Sequence, residues 1–101
     1  MIHEDERRIL EDWPEAKIIT AKVDCELGNH YHKIKTERFV LVKGSARMHL
    51  NINDNGYTAE RMLSGKLYTV EPGTKHTFFL DKGSVLVGIC SHPFDPTDDY
   101  R

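Results

Sequence analysis

Apolar and polar residues alternate with a period of two along most of the chain after residue 16, and the pattern is clearest at residues 46–52. The apolar positions of this segment are Ala46, Met48, Leu50 and Ile52, and the polar positions are Arg47, His49 and Asn51. Successive side chains of a β-strand point to opposite faces, so this segment predicts a strand whose apolar face covers a core. His49 is then expected to point outward.

The same reasoning predicts eight short strands separated by turns. They lie near residues 17–24, 29–33, 37–43, 46–52, 57–62, 67–71, 76–80 and 84–90. The strongest hairpin signal is Asp-Asn-Gly at residues 54–56, because Asn and Gly tolerate the positive φ of tight turns. Further turns are predicted at residues 43–45, 64–66 and 81–84. Many short strands at this spacing are typical of an all-β sandwich or barrel.

The N-terminal segment has a different composition. Residues 3–12 are rich in charge and precede the pair Trp13-Pro14. Because proline ends a helix, we predict a short helix or an irregular arm over residues 1–16. Residues 17–101 then form the barrel domain, in a chain whose 101 residues suffice for a single core.

Composition narrows the class of protein. Fourteen basic and sixteen acidic residues give a net charge of -2, without a basic stripe that would favour nucleic acid as a partner. Apolar runs are too short to predict a membrane span, and the N-terminus lacks the pattern of a secretory signal, so we expect a cytoplasmic protein. Cys25 and Cys90 belong to no Cys-x-x-Cys pair and are interpreted as buried, reduced thiols.

Four residues form a candidate metal site: His30, His32, Glu37 and His76. His30 and His32 are two positions apart, so on an extended strand both point to one face. Glu37 is at an odd offset from both, which predicts a turn or bulge within residues 33–36 and places the carboxylate on the next strand. Three imidazoles and one carboxylate suit one divalent ion of zinc, iron, manganese or nickel, with open positions for water or substrate.

A His-x-His pair alone is weak support for a metal site, since solvated histidines are common on surface strands. Glu37, Gly44 and the turn at Pro72-Gly73 ahead of His76 strengthen the hypothesis. A chance cluster of solvated histidines is the alternative.

These residues resemble the cupin superfamily. Its first motif, His-x-His followed by Glu and Gly, matches His30, His32, Glu37 and Gly44, and its second motif matches Gly65, Gly73 and His76. The resemblance covers residues 17–92 and implies a jelly-roll β-barrel with a metal ion near its interior.

The sequence departs from the motifs beside the ligands. Asp24 stands where the first motif has glycine, Glu71 stands where the second has proline, and Leu80 replaces a frequent asparagine. No ligand position is lost.

The segments around the ligands and the tail Phe94-Asp95-Pro96 are also similar to cupin domains of capsular-sugar biosynthesis enzymes, which act on nucleotide-linked sugars. This resemblance implies an isomerase or epimerase, or a subunit of one, acting on a carbohydrate-like small molecule. An Fe(II)-dependent dioxygenase and a barrel that binds a metabolite without turnover are the alternatives. Candidate bases for proton transfer are His49, Tyr57, Lys66 and Tyr68.

Outward apolar residues predict a further partner. If Glu37 and His76 point inward, then Val40, Val42 and Phe79 point outward and need a cover. We therefore predict a homodimer.

Overall fold

The computed structural model describes residues 1–52, 57–92 and 95–101. Its strands are β1 (Ile2–Glu4), β2 (Arg8–Trp13), β3 (Ala16–Ala21), β4 (Cys25–His30), β5 (Glu37–Lys43), β6 (Ala46–Ile52), β7 (Tyr57–Arg61), β8 (Leu67–Val70), β9 (Thr74–Leu80) and β10 (Val85–Cys90). A single turn of 3₁₀ helix follows at Pro96–Asp98.

The strands form two antiparallel sheets. One has six strands in the order β1-β2-β3-β10-β5-β8, and the other has four in the order β4-β9-β6-β7. The core lies between the sheets, where Phe39 and Leu41 of β5 meet Phe78 and Leu80 of β9 with at most 3% of each residue exposed. The predicted all-β class is confirmed.

The strands in which apolar and polar residues alternate most strongly were predicted with the correct bounds. Residues 37–43 and 46–52 form β5 and β6 as expected. Ala46 and Met48 are buried, as the apolar face of β6 requires, whereas Arg47 is exposed. The hairpin predicted at residues 54–56 lies outside the described residues.

The expectation of a helix or irregular arm in the N-terminal segment is wrong, because residues 2–4 and 8–13 form strands. β2 pairs with β3 along its whole length, from Arg8 opposite Ala21 to Trp13 opposite Ala16. Pairing to an existing sheet edge supplies hydrogen bonds, whereas a short isolated helix of this composition is marginal. The domain division at residue 16 stays a prediction.

The strand predicted at residues 29–33 is also wrong in its bounds, since β4 ends at His30. Gly28 and Asn29 have positive φ values of 92° and 61°, and the pairing of β4 with β9 shifts register there. This bulge ends the regular strand one residue later. The chain bends at Lys33 and Ile34, as predicted for residues 33–36, and Glu37 then opens β5.

Cys25 and Cys90 are free thiols, as predicted, but they are half-buried rather than buried. Burial raises the pKa of both thiols. On the outer side of β5, Val42 is exposed, as alternation predicts. None of the described segments forms a helix long and apolar enough to cross a membrane.

The turn at Gly44 yields a stability prediction. Gly44 has a φ of 97°, and a Cβ added there would lie 2.3 Å from Oγ of the buried residue Ser84. Gly65 has a similar φ of 81° but open space around it. We expect Gly44→Ala to lower the free energy of unfolding by about 3 kcal/mol, and Gly65→Ala by only about 1 kcal/mol, because the second variant carries backbone strain alone.

Urea denaturation of the two variants would test this difference. Equal losses would show that β5, β6 and β10 can separate enough at Ser84 to accept the added methyl group.

Candidate metal centre

The structure brings the four predicted ligand residues together. Their nearest ligand atoms all lie within 4.8 Å of one another, and His32, Glu37 and His76 are buried. His30 ends β4 opposite His76 on β9, so the four-stranded sheet contributes both rings. Glu37 comes from β5 in the six-stranded sheet, and His32 comes from the loop between β4 and β5. The site therefore lies where the two sheets meet.

Two of the histidine rings are fixed through their Nδ1 atoms. Nδ1 of His32 lies 2.5 Å from the carbonyl oxygen of Asp98, and Nδ1 of His76 lies 3.2 Å from that of Thr74. A carbonyl oxygen only accepts hydrogen bonds, so each Nδ1 must be the protonated donor. In the neutral ring, Nε2 then carries a lone pair, the form in which imidazole binds a metal.

Both Nε2 atoms face the same carboxylate oxygen. Nε2 of His32 lies 3.0 Å from Oε1 of Glu37, and Nε2 of His76 lies 3.5 Å from it. Among the described residues, neither Nε2 of His32 nor Oε1 of Glu37 has a hydrogen-bond partner of suitable geometry, although both atoms are buried. Two acceptors at this distance require a cation between them, either a proton or a metal ion. Ligand atoms about 2.1 Å from one ion would be about 3.0–3.4 Å apart, so the spacing fits a metal.

The other oxygen of Glu37 faces positive charge. Nζ of Lys17 lies 3.1 Å and Nζ of Lys35 lies 4.0 Å from Oε2, and Sγ of Cys90 donates to the same atom at 3.5 Å. Burial would raise the pKa of this carboxyl group, but interaction with His32 and the two lysine charges together hold it far below its usual range. Glu37 is therefore ionised, with Oε1 turned toward the histidines.

Burial favours the neutral form of two of the histidines, His30 and His76. Burial, together with the charges of His76 and His32, lowers the pKa of His30 from 6.5 to about 4. Burial likewise lowers the pKa of His76, although the charge of Glu37 opposes this shift. Neutral imidazoles and an ionised carboxylate are the ligand states that a divalent ion requires.

His30 connects the cluster to solvent. It lines a polar cleft of about 730 Å³ and a second, smaller cleft of about 270 Å³, and Arg8 lines both. The larger cleft also contains Arg7 and Arg101. The smaller cleft is lined by Leu10, Trp13, Ile19, Lys17 and Lys35 among others. The cluster thus lies beside two clefts, both of which are lined by His30.

The candidate bases proposed from sequence lie elsewhere or serve structural contacts. His49 packs against the ring of Phe79 on the outward side of its sheet. The hydroxyl of Tyr68 accepts a hydrogen bond from the backbone of Leu63, and Nζ of Lys66 lies over the Tyr68 ring. The side chain of Tyr57 lies outside the described part of the chain.

Sequence reasoning missed the residues that surround the ligands: Lys17, Lys35, Cys90, Asp98 and Asp99. One signal was available for Lys17, since it shares its side of β3 with the buried residues Ile19 and Ala21. A lysine on the inward side of a strand points to a buried anionic partner.

Solved structures with a similar arrangement of sheets show the fold class of the chain, which is the cupin jelly-roll β-barrel. CapF, a capsular polysaccharide assembling protein from Staphylococcus aureus, is similar with a TM-score of 0.82 and 24% identity over 99% of this chain and 31% of CapF. QdtA, a sugar 3,4-ketoisomerase from Thermoanaerobacterium thermosaccharolyticum, gives 0.77 and 24% over 85% of this chain and 64% of QdtA. An oxalate decarboxylase variant from Bacillus subtilis gives 0.84 and 16% over 100% of this chain and 30% of that protein.

Within this class, the chain belongs to the polysaccharide biosynthesis C-terminal domain family, whose model matches residues 8–82. The chain spans about a third of the length of CapF. No curated protein sequence matches it. The family and the fold agree with the resemblance seen in the sequence.

The lowered pKa of His30 predicts a loss of stability in acid. The unfolded chain binds a proton at His30 below about pH 6.5, whereas the folded protein does so only near pH 4, so the stability contributed by neutral His30 falls as the pH falls between these values. For protein stripped of metal with EDTA, we expect the free energy of unfolding to drop by about 1–2 kcal/mol more in wild type than in His30→Ala between pH 7 and pH 5.

Urea denaturation at several pH values would measure this difference. His49→Ala is the matched control, because His49 lies on the outward face, and it should keep the wild-type pH dependence. An identical pH dependence in wild type and His30→Ala would contradict the prediction.

Proposed function

We propose that this protein is a metal-dependent enzyme, or the subunit of one, that isomerises or epimerises a carbohydrate-like small molecule. His30, His32, Glu37 and His76 are the proposed ligands of one divalent ion of zinc, iron, manganese or nickel. One observation carries the proposal. Nε2 of His32 and Nε2 of His76 both lie close to Oε1 of Glu37, beside an open cleft.

The residues around this point suit the chemistry of a keto sugar. A divalent ion, when bound, polarises a carbonyl group and stabilises the enediolate formed when a neighbouring carbon loses its proton. Lys17 and Lys35 line the smaller cleft and place positive charge beside the ligands. Their charges favour a substrate that becomes anionic during the reaction.

The smaller cleft can accommodate a sugar ring. Leu10, Trp13 and Ile19 give it an apolar wall, while Lys17 and His30 give it polar groups. This combination of an apolar surface with a few polar groups is typical of small-molecule sites. We propose that the face of the sugar packs against Trp13.

The larger cleft supports a substrate that carries phosphate. Its lining includes Arg7, Arg8 and Arg101. Arg8 and His30 line both this cleft and the smaller one. Arginine is well suited to bind phosphate oxygens. The ketoisomerase QdtA was solved in complex with TDP. We therefore propose a keto sugar attached to a nucleoside diphosphate as the substrate class.

We further propose a homodimer as the working assembly. Val42, Leu67 and Ile89 are exposed on three neighbouring strands of the six-stranded sheet, β5, β8 and β10. Covering an apolar sheet face of this kind is a common role of a second copy.

The reaction predicts metal-dependent exchange of a carbon-bound proton. Protein purified without added metal or a His-tag should contain near-stoichiometric metal by elemental analysis, and His76→Ala should lose most of it. In D₂O, wild type should incorporate deuterium into a TDP-linked keto hexose, and treatment with EDTA should abolish the incorporation because the carbonyl is no longer polarised. Mass spectrometry of the recovered sugar provides the measurement.

The other outcomes separate the alternative functions. Saturable binding without exchange would favour a metabolite-binding barrel, and iron content with oxygen consumption would favour a dioxygenase. Wild-type protein that stays metal-free after incubation with each candidate ion would overturn the metal site itself.

Trp13 offers a test of the substrate cleft. Trp13→Ala should raise the KM for the sugar several-fold and leave the metal content unchanged, because Trp13 lines the cleft but is not among the ligand residues. Trp13→Phe is the matched control and should retain most of the affinity, since it keeps an aromatic face. A KM unchanged in Trp13→Ala would place the sugar elsewhere.

A further inference from the structure

We propose that residues 98–101, called the C-terminal clamp below, orient His30 and His32 for metal binding, with Asp98 and Asp99 as positioning residues. The clamp lies along the ligand loop, residues 28–34, and contacts it at both ends and in the middle. The inference rests on the metal site proposed above and not on the reaction assigned to it.

Asp98 holds the His32 end of the loop in two ways. Its backbone carbonyl accepts a hydrogen bond from Nδ1 of His32 at 2.5 Å. Its carboxylate accepts hydrogen bonds from the backbone N–H groups of Lys33 at 2.8 Å and Ile34 at 3.3 Å. Asp98 is only 4% exposed, so these hydrogen bonds form in a protected environment. The carboxylate fixes the backbone on which the carbonyl sits, and the carbonyl fixes the His32 ring.

Tyr100 and Tyr31 hold the middle of the loop. Their backbones exchange two hydrogen bonds of 2.9 Å and 3.0 Å, which form a short antiparallel bridge. Their rings stack at 5.2 Å, and Nζ of Lys33 lies 4.3 Å from the Tyr100 ring centroid. The position of Asp98 and Asp99 relative to the histidines is therefore fixed by contacts that involve no ligand residue.

Asp99 acts on His30. Its Oδ1 atom is buried 3.3 Å from Nδ1 of His30, and in the part of the chain that the structure describes it has no hydrogen-bond partner of suitable geometry. We expect a bound ion on Nε2 to orient the imidazole so that Nδ1–H donates to this oxygen. Arg101 donates to the carbonyl of Gly28 at 3.3 Å and closes the contact at the start of the loop.

The clamp thus determines which nitrogen of each ring faces the cluster. A histidine bound to an oxygen acceptor through Nδ1–H presents Nε2 as the ligand atom, and loss of the acceptor frees the ring to change tautomer or rotate. Thr74 supplies the same type of acceptor to His76 from within β9. Asp98 supplies such an acceptor to His32, and Asp99 supplies one to His30.

The test uses the whole chain, first without metal and then with Zn²⁺. In metal-free, ¹⁵N-labelled protein, long-range ¹H–¹⁵N correlation spectra report which ring nitrogens of each histidine carry protons, and we expect Nδ1 of His32 to be protonated. Asp98→Ala should give His32 a mixture of tautomers and weaken Zn²⁺ binding about 10- to 100-fold in competition with a chelator. Asp99→Ala should weaken Zn²⁺ binding about tenfold. Asp99→Asn should retain most of the affinity, because its amide oxygen can still accept from Nδ1–H.

Asp95→Asn is the matched control. It removes one charge from the same segment, but the Asp95 carboxylate accepts from Thr97 rather than from the ligand loop, and Asn can keep that role. It should bind Zn²⁺ as wild type does.

Folded Asp98→Ala and Asp99→Ala variants with wild-type tautomers and wild-type affinity would overturn the proposal. If Asp98→Ala does not fold, equal affinity in Asp99→Ala and Asp99→Asn would overturn it. If wild type binds no Zn²⁺, the metal site fails, and the His32 ring in folded Asp98→Ala decides the clamp alone: a wild-type tautomer there would overturn it.

Discussion

The site depends on one constraint, which is the burial of an ionised carboxylate. Glu37 is 0% exposed, and a buried charge without compensation would cost several kcal/mol of stability. Lysines compensate the charge at Oε2, whereas Oε1 faces the imidazole Nε2 atoms and needs a cation between them. Segments from both sheets and from the loop between β4 and β5 therefore have to meet at this one side chain.

The core and the site share the same strands. On β5, Glu37 is followed on the same face by Phe39 and Leu41, and all are buried. On β9, His76 is followed in the same way by Phe78. Because a shift of one residue turns every side chain of a strand to the other face, the packing of the apolar residues also fixes the direction of the ligands. The hydrophobic core thus provides the rigidity that the polar cluster needs.

The part of the fold that sequence could predict is the part encoded by local alternation. β5 and β6 were predicted with correct bounds because each has a buried face and an exposed face, and the four ligand candidates were recognised by residue type and spacing. β1 and β2 were missed because their charged residues leave no such contrast between the two faces. Asp98 and Asp99 were missed because their partners lie more than sixty residues earlier, and nothing in the local sequence marks that contact.

The origin of the ligands in different sheets has a mechanical consequence. An ion held by Glu37 of β5 and by His30 and His76 of β4 and β9 would cross-link the two layers, much as a disulfide bond joins distant parts of a chain. Such a cross-link restricts the motion by which the layers separate at this end of the barrel. The metal-free protein would therefore open more readily at this end of the barrel, and binding of the ion would slow its unfolding.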